Sequence, residues 1–151
     1  MDGARAYWDG AKLYSRRGNI IQAPSQFVEN FPNIPLDGEI WMGRNSYEKV
    51  MLLFGSSKGD WSAAKYFIFD LPSLNKPFEV RMESLKDLKL PSHVEVINIK
   101  KCKGKDHLME ELKNITAQKG EGIMAMKPHS FYSPGRSSSL LKIKVPFFKM
   151  N

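Results

Sequence analysis

Hydrophobic and polar residues are mixed at the start of the chain, where the short segments 4–8 (ARAYW) and 12–15 (KLYS) are typical of β-strands. Asp9 and Gly10 lie between them and tolerate the positive φ of a tight turn. We therefore expect a β-hairpin from Ala4 to Ser15. Later hydrophobic runs predict further strands at 40–42, 65–70, 94–99, 123–126 and 140–145.

Hydrophobic residues spaced three and four positions apart predict helices between these strands. One helix covers 45–54 behind a possible Asn45 cap, a short one covers 83–88, and one begins at an Asp106 cap and ends near Gly120. The hydrophobic positions are Tyr47, Val50, Met51 and Phe54 in the first helix and Leu108, Met109, Leu112 and Ile115 in the last. Hairpins with separate helices predict an α+β fold with largely antiparallel sheets flanked by helices.

The composition and charge of the chain indicate what kind of partner it binds. The 151 residues are about one domain, and 23 Lys and Arg against 16 Asp and Glu give a net charge of +7. Such a surface attracts polyanions, including nucleotides and nucleic acids. Cys102 is the single cysteine, which excludes an internal disulfide and favours an intracellular location. No apolar run approaches the roughly 20 residues of a membrane helix, so we expect no membrane partner.

Small polar clusters stand beside several of the predicted strands. They read DGAR, SRRG, DGE, EG and KIK. Each one alone is typical of a turn or of a solvated strand end. Together they form an ordered series of carboxylates and cations, which predicts a pocket lined from the ends of a sheet.

The same series resembles the motifs of ATP-dependent DNA ligases, which belong to the covalent nucleotidyltransferases. The resemblance covers Met1 to about Val145. It implies an adenylation-domain core at 1–145 and a stub at 146–151, where a missing OB-fold domain would begin. The matching segments, in motif order, are MDGARAYWDG, SRRGN, PLDGEIWMGR, YFIFDLP, EGIMAMKP and LLKIK.

The resemblance implies a three-step reaction. A lysine attacks the α-phosphate of ATP, the adenylate passes to a 5′-phosphate, and a 3′-hydroxyl displaces AMP to seal the nick. It also implies Mg²⁺, nicked duplex DNA and a monomeric enzyme, with roles in DNA replication, repair and recombination. Neighbouring cations would neutralise the charge on the phosphoryl oxygens.

The first motifs carry over to four residues. Asp2 and Gly3 would flank the nucleophile position, and Arg5 would contact the ribose and phosphate region. Arg16 would hold the nucleotide or the phosphates of the nick, whereas its neighbour Arg17 reads as a solvated hairpin charge.

The later motifs carry over to five more residues. Glu39 would accept a hydrogen bond from a ribose hydroxyl. Phe69 would stack on adenine, although an aromatic residue in a strand can equally be core. Glu121 would bind the catalytic metal, and Lys142 and Lys144, two apart on one strand, would reach one triphosphate.

One departure from the motif pattern bears on activity. In the family pattern the nucleophilic lysine would lie immediately before Met1, so we expect residues 1–151 to form no covalent adenylate by themselves. Three alternatives stay open: an RNA ligase, an mRNA-capping guanylyltransferase, and a non-catalytic nucleotide- or DNA-binding remnant.

Overall fold

The computed structural model describes residues 3–56 and 58–144. Within these residues, strands and helices alternate along most of the chain. The elements are β1 (Ala4–Trp8), β2 (Leu13–Ser15), α1 (Ser25–Val28), β3 (Leu36–Trp41), α2 (Tyr47–Phe54), β4 (Lys65–Asp70), α3 (Phe78–Leu85), β5 (Val94–Val96), α4 (Lys105–Ala117), β6 (Ile123–Met126) and β7 (Leu140–Ile143). The boundary predicted between 145 and 146 lies outside the described residues.

Two sheets organise the fold. The larger sheet has the strand order β2-β1-β3-β4-β5, and the smaller one is the hairpin β6-β7. All strand pairs are antiparallel except β4 with β5. The N-terminal hairpin and the largely antiparallel α+β class are therefore confirmed.

The main core lies on one face of the large sheet. Residues at alternate positions of β1 and β4 are buried, as period-two burial requires of strands with one covered face. Helix α2 packs against β1 and β3, and α3 packs against β4. The largest fully buried hydrophobic side chains of this core are Tyr66, Leu13, Leu36, Ile40, Ile68 and Leu85.

Strand β3 begins at Leu36, four residues before the predicted start at position 40. Asp37 and Gly38 have poor intrinsic strand propensity and read as turn residues. They are held in the sheet because β3 pairs with β1 on one side and β4 on the other. The acidic motif therefore lies inside a central strand.

The helices also differ from their predicted limits. Helix α3 begins at Phe78, five residues early, and the one-turn α1 has no counterpart in the sequence pattern. Packing of Phe27 against Phe31 and Trp61 orders α1. The predicted caps are wrong, because α2 follows Ser46 and α4 follows Gly104, with Asp106 in its first turn.

Helix α4 and the small sheet form the last part of the described chain. Helix α4 packs against β6. Strand β5 ends at Val96, short of the predicted residue 99, and β7 ends at Ile143, while Val145 lies outside the described residues. None of the described helices has the length and apolar character needed to cross a membrane.

Candidate functional site

The face of the large sheet opposite the core carries the polar motif residues. Arg5 on β1 is the register partner of Glu39 on β3, and Glu39 is the partner of Phe67 on β4. Phe69 follows two positions along β4 and points to the same side, because side chains alternate along a strand. The structure therefore brings the predicted Arg5, Glu39 and Phe69 to one surface.

Glu39 holds the start of β1. The Gly3 N–H donates a hydrogen bond to Glu39 Oε1 at 2.7 Å. A Cβ atom on Gly3 would lie only 2.1 Å from the carbonyl oxygen of Ile40, so the close approach of β1 and β3 requires glycine there. Asp2, the other predicted residue of this motif, lies outside the described residues.

Arg5 is engaged by a carboxylate that the sequence did not single out. Its Nε donates to Asp37 Oδ1 at 2.9 Å and its Nη2 donates to Asp37 Oδ2. The Asp37 side chain is 1% exposed, while that of Arg5 is 36% exposed. The hydrogen bond to Asp37 raises the pKa of the Arg5 guanidinium above its ordinary value. Arg5 is thus held at the edge of the sheet face as a permanent cation.

Asp37 also binds the loop between β6 and β7. The hydroxyl of Tyr132 donates to Asp37 Oδ2 at 2.9 Å, across 95 residues of sequence. Burial, followed by the charge of Asp37, raises the pKa of Tyr132 well above its ordinary value. The phenol therefore stays protonated and remains a donor.

Phe69 is half-buried at the end of β4, and the Arg5 guanidinium carbon lies 5.9 Å from its ring centroid. The next residue, Asp70, is buried and pairs with Arg81 of α3, whose side chain is 0% exposed. Arg81 Nε donates to Asp70 Oδ1 at 2.6 Å. This pair fixes the strand end that carries Phe69.

Glu121, Lys142 and Lys144 meet at the base of the β6-β7 hairpin. The Nζ atoms of Lys142 and Lys144 lie 2.7 Å and 3.4 Å from Glu121 Oε2. The hydrogen bond from Lys142 lowers the pKa of Glu121, and Glu121 raises the pKa of Lys142, with a smaller contribution from Glu39. The two lysines therefore do reach one anionic group.

A magnesium ion at Glu121 would need further ligands besides this carboxylate. Among the described residues, no three His, Cys, Asp or Glu side chains lie close enough together to hold a metal. Glu121 is 46% exposed and offers hard carboxylate oxygens. Mg²⁺ typically binds one or two carboxylates together with substrate phosphates and water. Glu121 therefore suits a metal that is shared with a phosphate ligand.

A cleft of about 970 Å³ opens beside these groups. Among the described residues that line it, four are cations and none is a carboxylate. Arg16 lines the cleft, whereas its neighbour Arg17 does not. The cations are Arg5, Arg16, Arg136 and Lys142; the rest of the lining includes Tyr7, Tyr14 and Tyr132.

Arg16 and Arg136 are the cations of this cleft that have no acidic partner among the described residues. Arg5 pairs with Asp37 and Lys142 pairs with Glu121, but the ion pairs among residues 3–56 and 58–144 include neither Arg16 nor Arg136. Both residues are exposed. Two unpaired guanidinium groups on one cleft favour an anionic ligand, since guanidinium matches phosphate and carboxylate geometry.

Sequence reasoning missed three residues of this site: Asp37, Tyr132 and Arg136. Asp37 is two residues before Glu39, so once β3 is extended the alternation places both on one face. Tyr132 and Arg136 lie in a loop rich in serine, proline and glycine, where no periodicity shows which side chains turn inward.

Comparison with known proteins identifies the family of this chain. The model of the ATP dependent DNA ligase domain family matches residues 1–144. The chain belongs to this family. The resemblance seen in the motifs is thereby confirmed.

A DNA ligase of Haemophilus influenzae (strain ATCC 51907 / DSM 11121 / KW20 / Rd) is 34% identical over an alignment of 149 positions. The match covers 96% of this chain and 56% of that protein. A solved Lig E DNA ligase, studied for DNA binding with a minimal scaffold, superposes with a TM-score of 0.85 at 33% identity. That match covers 96% of this chain and 59% of the other. The ligase-family chain thus spans less than two thirds of the length of these relatives.

Chlorella virus DNA ligase-adenylate has the same fold, with a TM-score of 0.79 at 22% identity. The match covers 95% of this ligase-family chain and 58% of the viral one.

Proposed function

We propose that this chain is the nucleotide-binding core of an ATP-dependent DNA ligase. The observation that carries the proposal is the cleft on the sheet face that holds the ligase motifs. Four cations line it, and two of them have no acidic partner within 3–56 and 58–144. The whole enzyme would seal nicks in duplex DNA through lysyl-AMP and DNA-adenylate intermediates. Replication, repair and recombination of DNA all need this reaction.

Glu39 and Phe69 would bind the nucleoside. A carboxylate can accept about four hydrogen bonds, so the bond from Gly3 leaves Glu39 able to accept one from a ribose hydroxyl. The Phe69 ring is only half-buried, and an exposed aromatic face can stack on a base. Arg5, held between Asp37 and Phe69, would lie against the ribose and phosphate region.

Arg16, Lys142 and Lys144 would bind phosphates. Phosphoryl transfer relies mostly on positioning and on cations that offset the charge of the phosphoryl oxygens. The two lysines now contact one oxygen of Glu121, and the same reach would let them bind one triphosphate. Glu121 would then be available to Mg²⁺, which supplies charge neutralisation at the phosphates when it is bound.

The proposal predicts different roles for two neighbouring arginines. Arg16→Ala should weaken ATP binding by about tenfold, because a charge-assisted hydrogen bond to phosphate is lost. Arg17→Ala is the matched control, since Arg17 is equally charged and exposed but does not line the cleft. Titration calorimetry of the 151-residue chain with ATP and Mg²⁺ measures both affinities.

Two results would contradict the proposal: no measurable ATP binding by the wild-type chain, or equal losses in the two variants. The same titration with GTP separates the enzyme classes. Clearly tighter binding of GTP than of ATP would favour a capping guanylyltransferase instead of a ligase.

A further inference from the structure

Among the described residues, hydrogen bonds tie the loop between β6 and β7, residues 127–139, to other elements at three points. The His129 N–H donates to the Glu79 carboxylate at 3.1 and 3.2 Å. The Ser130 carbonyl accepts from Arg81 Nη1 at 2.8 Å. The third tie is the Tyr132 hydroxyl on Asp37. The first two ties lead to α3, whereas Tyr132 joins the loop to the central strand β3.

Asp37 is the point where β1, β3 and this loop meet. Its Oδ1 accepts from Arg5 Nε, and its Oδ2 accepts from both Arg5 Nη2 and the Tyr132 hydroxyl. An ionised carboxylate has enough lone pairs for all three bonds. Removal of the phenol oxygen would leave Asp37 paired with Arg5, so the buried charge would keep its partner.

The residues that follow Tyr132 form one side of the cleft. Among the described hydrogen bonds, none ties residues 133–136 to another element, and Ser137 accepts from Ser139 of the loop and from Leu140 at the start of β7. Tyr132 is therefore the last anchor before the cleft-lining segment. The lining residues of this segment are Pro134, Gly135, Arg136 and Ser137.

We infer that Tyr132 is a positioning residue. Its hydrogen bond to Asp37 holds both the Arg5 guanidinium and the segment around Arg136 against the same cleft. Two cations from distant parts of the chain thereby face one anionic ligand. The identification of that ligand as ATP or a DNA phosphate rests on the proposed function. The positioning itself is a property of the chain without ligand.

The test compares Tyr132→Phe with Tyr47→Phe, which removes the hydroxyl of an exposed tyrosine on α2. Trypsin cleavage after Arg136 reports on the loop, and cleavage after Arg17 in the same digest is the internal reference. Loss of the tether should raise the ratio of the two rates by about tenfold in Tyr132→Phe, because a charge-assisted hydrogen bond no longer opposes local opening. Tyr47→Phe should leave the ratio unchanged.

A second measurement reports on Arg5 directly. Its Nε–H resonance in ¹⁵N NMR should exchange slowly with water in the wild type. In Tyr132→Phe the Arg5–Asp37 pair remains, but the exchange should be about tenfold faster, because the loop no longer bonds to Asp37 and opens more often beside the pair. A purely structural role of Tyr132 elsewhere in the loop would not change this signal. The ATP affinity of Tyr132→Phe should fall by a similar factor, and that of Tyr47→Phe should not.

An unchanged cleavage ratio together with unchanged Arg5 exchange would overturn the inference. Failure of the proposed function has a different signature, namely a wild-type chain that binds neither ATP nor nicked DNA. The cleavage and exchange measurements use the chain without ligand, so they decide the positioning role in either case.

Discussion

The pKa values of single side chains in this site are shifted by their charged neighbours, as Glu121 shows. Its carboxylate contacts two ammonium groups and has a lowered pKa, chiefly because Lys142 donates a hydrogen bond to it. A lowered folded-state pKa contributes stability above the ordinary glutamate pKa, and this contribution is lost as pH falls through the folded value. The stabilisation from the Glu121–Lys142 pair is therefore lost when the pH falls below the lowered pKa of Glu121.

Lys142→Ala should move the titration midpoint of Glu121 upward, towards the ordinary value for glutamate. Lys144→Ala should move it less, because Lys144 Nζ is 3.4 Å from the carboxylate and Lys142 Nζ is 2.7 Å from it. Carboxyl ¹³C chemical shifts followed against pH measure the midpoint. The control is Lys86→Ala, whose partner is Glu83. The same shift in the control, or none in Lys142→Ala, would show that Lys142 does not set this pKa.

At the scale of elements, a buried ion pair joins α3, β4 and the loop after β6. Arg81 bonds to the Asp70 carboxylate and to the carbonyl oxygens of Lys76 and Ser130. Neither member of the Arg81–Asp70 pair is more than 5% exposed. The position of Phe69 and the course of the loop thus depend on one guanidinium group.

Arg81→Ala should lower the free energy of unfolding by about 3–5 kcal/mol, because it leaves the charge of Asp70 buried without a partner. Lys86→Ala should cost less than about 1 kcal/mol, since the Lys86–Glu83 pair is exposed to solvent. Urea denaturation followed by circular dichroism measures both. Similar costs for the two variants would show that the buried pair is not a major support of the fold.

At the scale of the whole molecule, four of the 23 Lys and Arg residues line one cleft. The cleft gathers cations from β1, the turn after β2, the loop between β6 and β7, and β7 itself. Such a concentration of positive charge attracts the phosphates of DNA, whose neutralisation releases counterions.

Binding of nicked duplex DNA should therefore weaken as salt rises. The combined variant Arg16→Ala with Arg136→Ala should reduce the slope of log affinity against log salt by about 2, if each arginine neutralises one phosphate. Lys49→Ala with Lys58→Ala removes the same charge from exposed positions outside the cleft and should change the slope little. Fluorescence anisotropy over a salt series measures the slope. Affinity that is insensitive to salt would contradict a phosphate-binding cleft.

Local patterns in the sequence determined much of the fold and the family. The aromatic and β-branched run KYFIFD predicts β4 with the limits that the structure has, and the N-terminal hairpin follows from two short strand segments joined at Asp9 and Gly10. These signals are local because strand propensity and turn chemistry depend on residues that are only a few positions apart. The ordered motifs indicated the ligase family, and residues 1–144 match it. The roles given to individual site residues stay predictions.

Only the tertiary structure decided how the site is held together. Asp37 reads as a turn residue, yet pairing on both sides keeps it in β3, and Gly38 lacks a Cβ where the ring of Tyr66 lies. The Tyr132 hydroxyl reaches Asp37 across 95 residues, and Arg81 is buried although arginine is mostly exposed in proteins. A short local window contains only one member of such a pair. The contacts form because packing of the sheet, helices and loop removes these polar groups from water, and each must then find a partner within the protein.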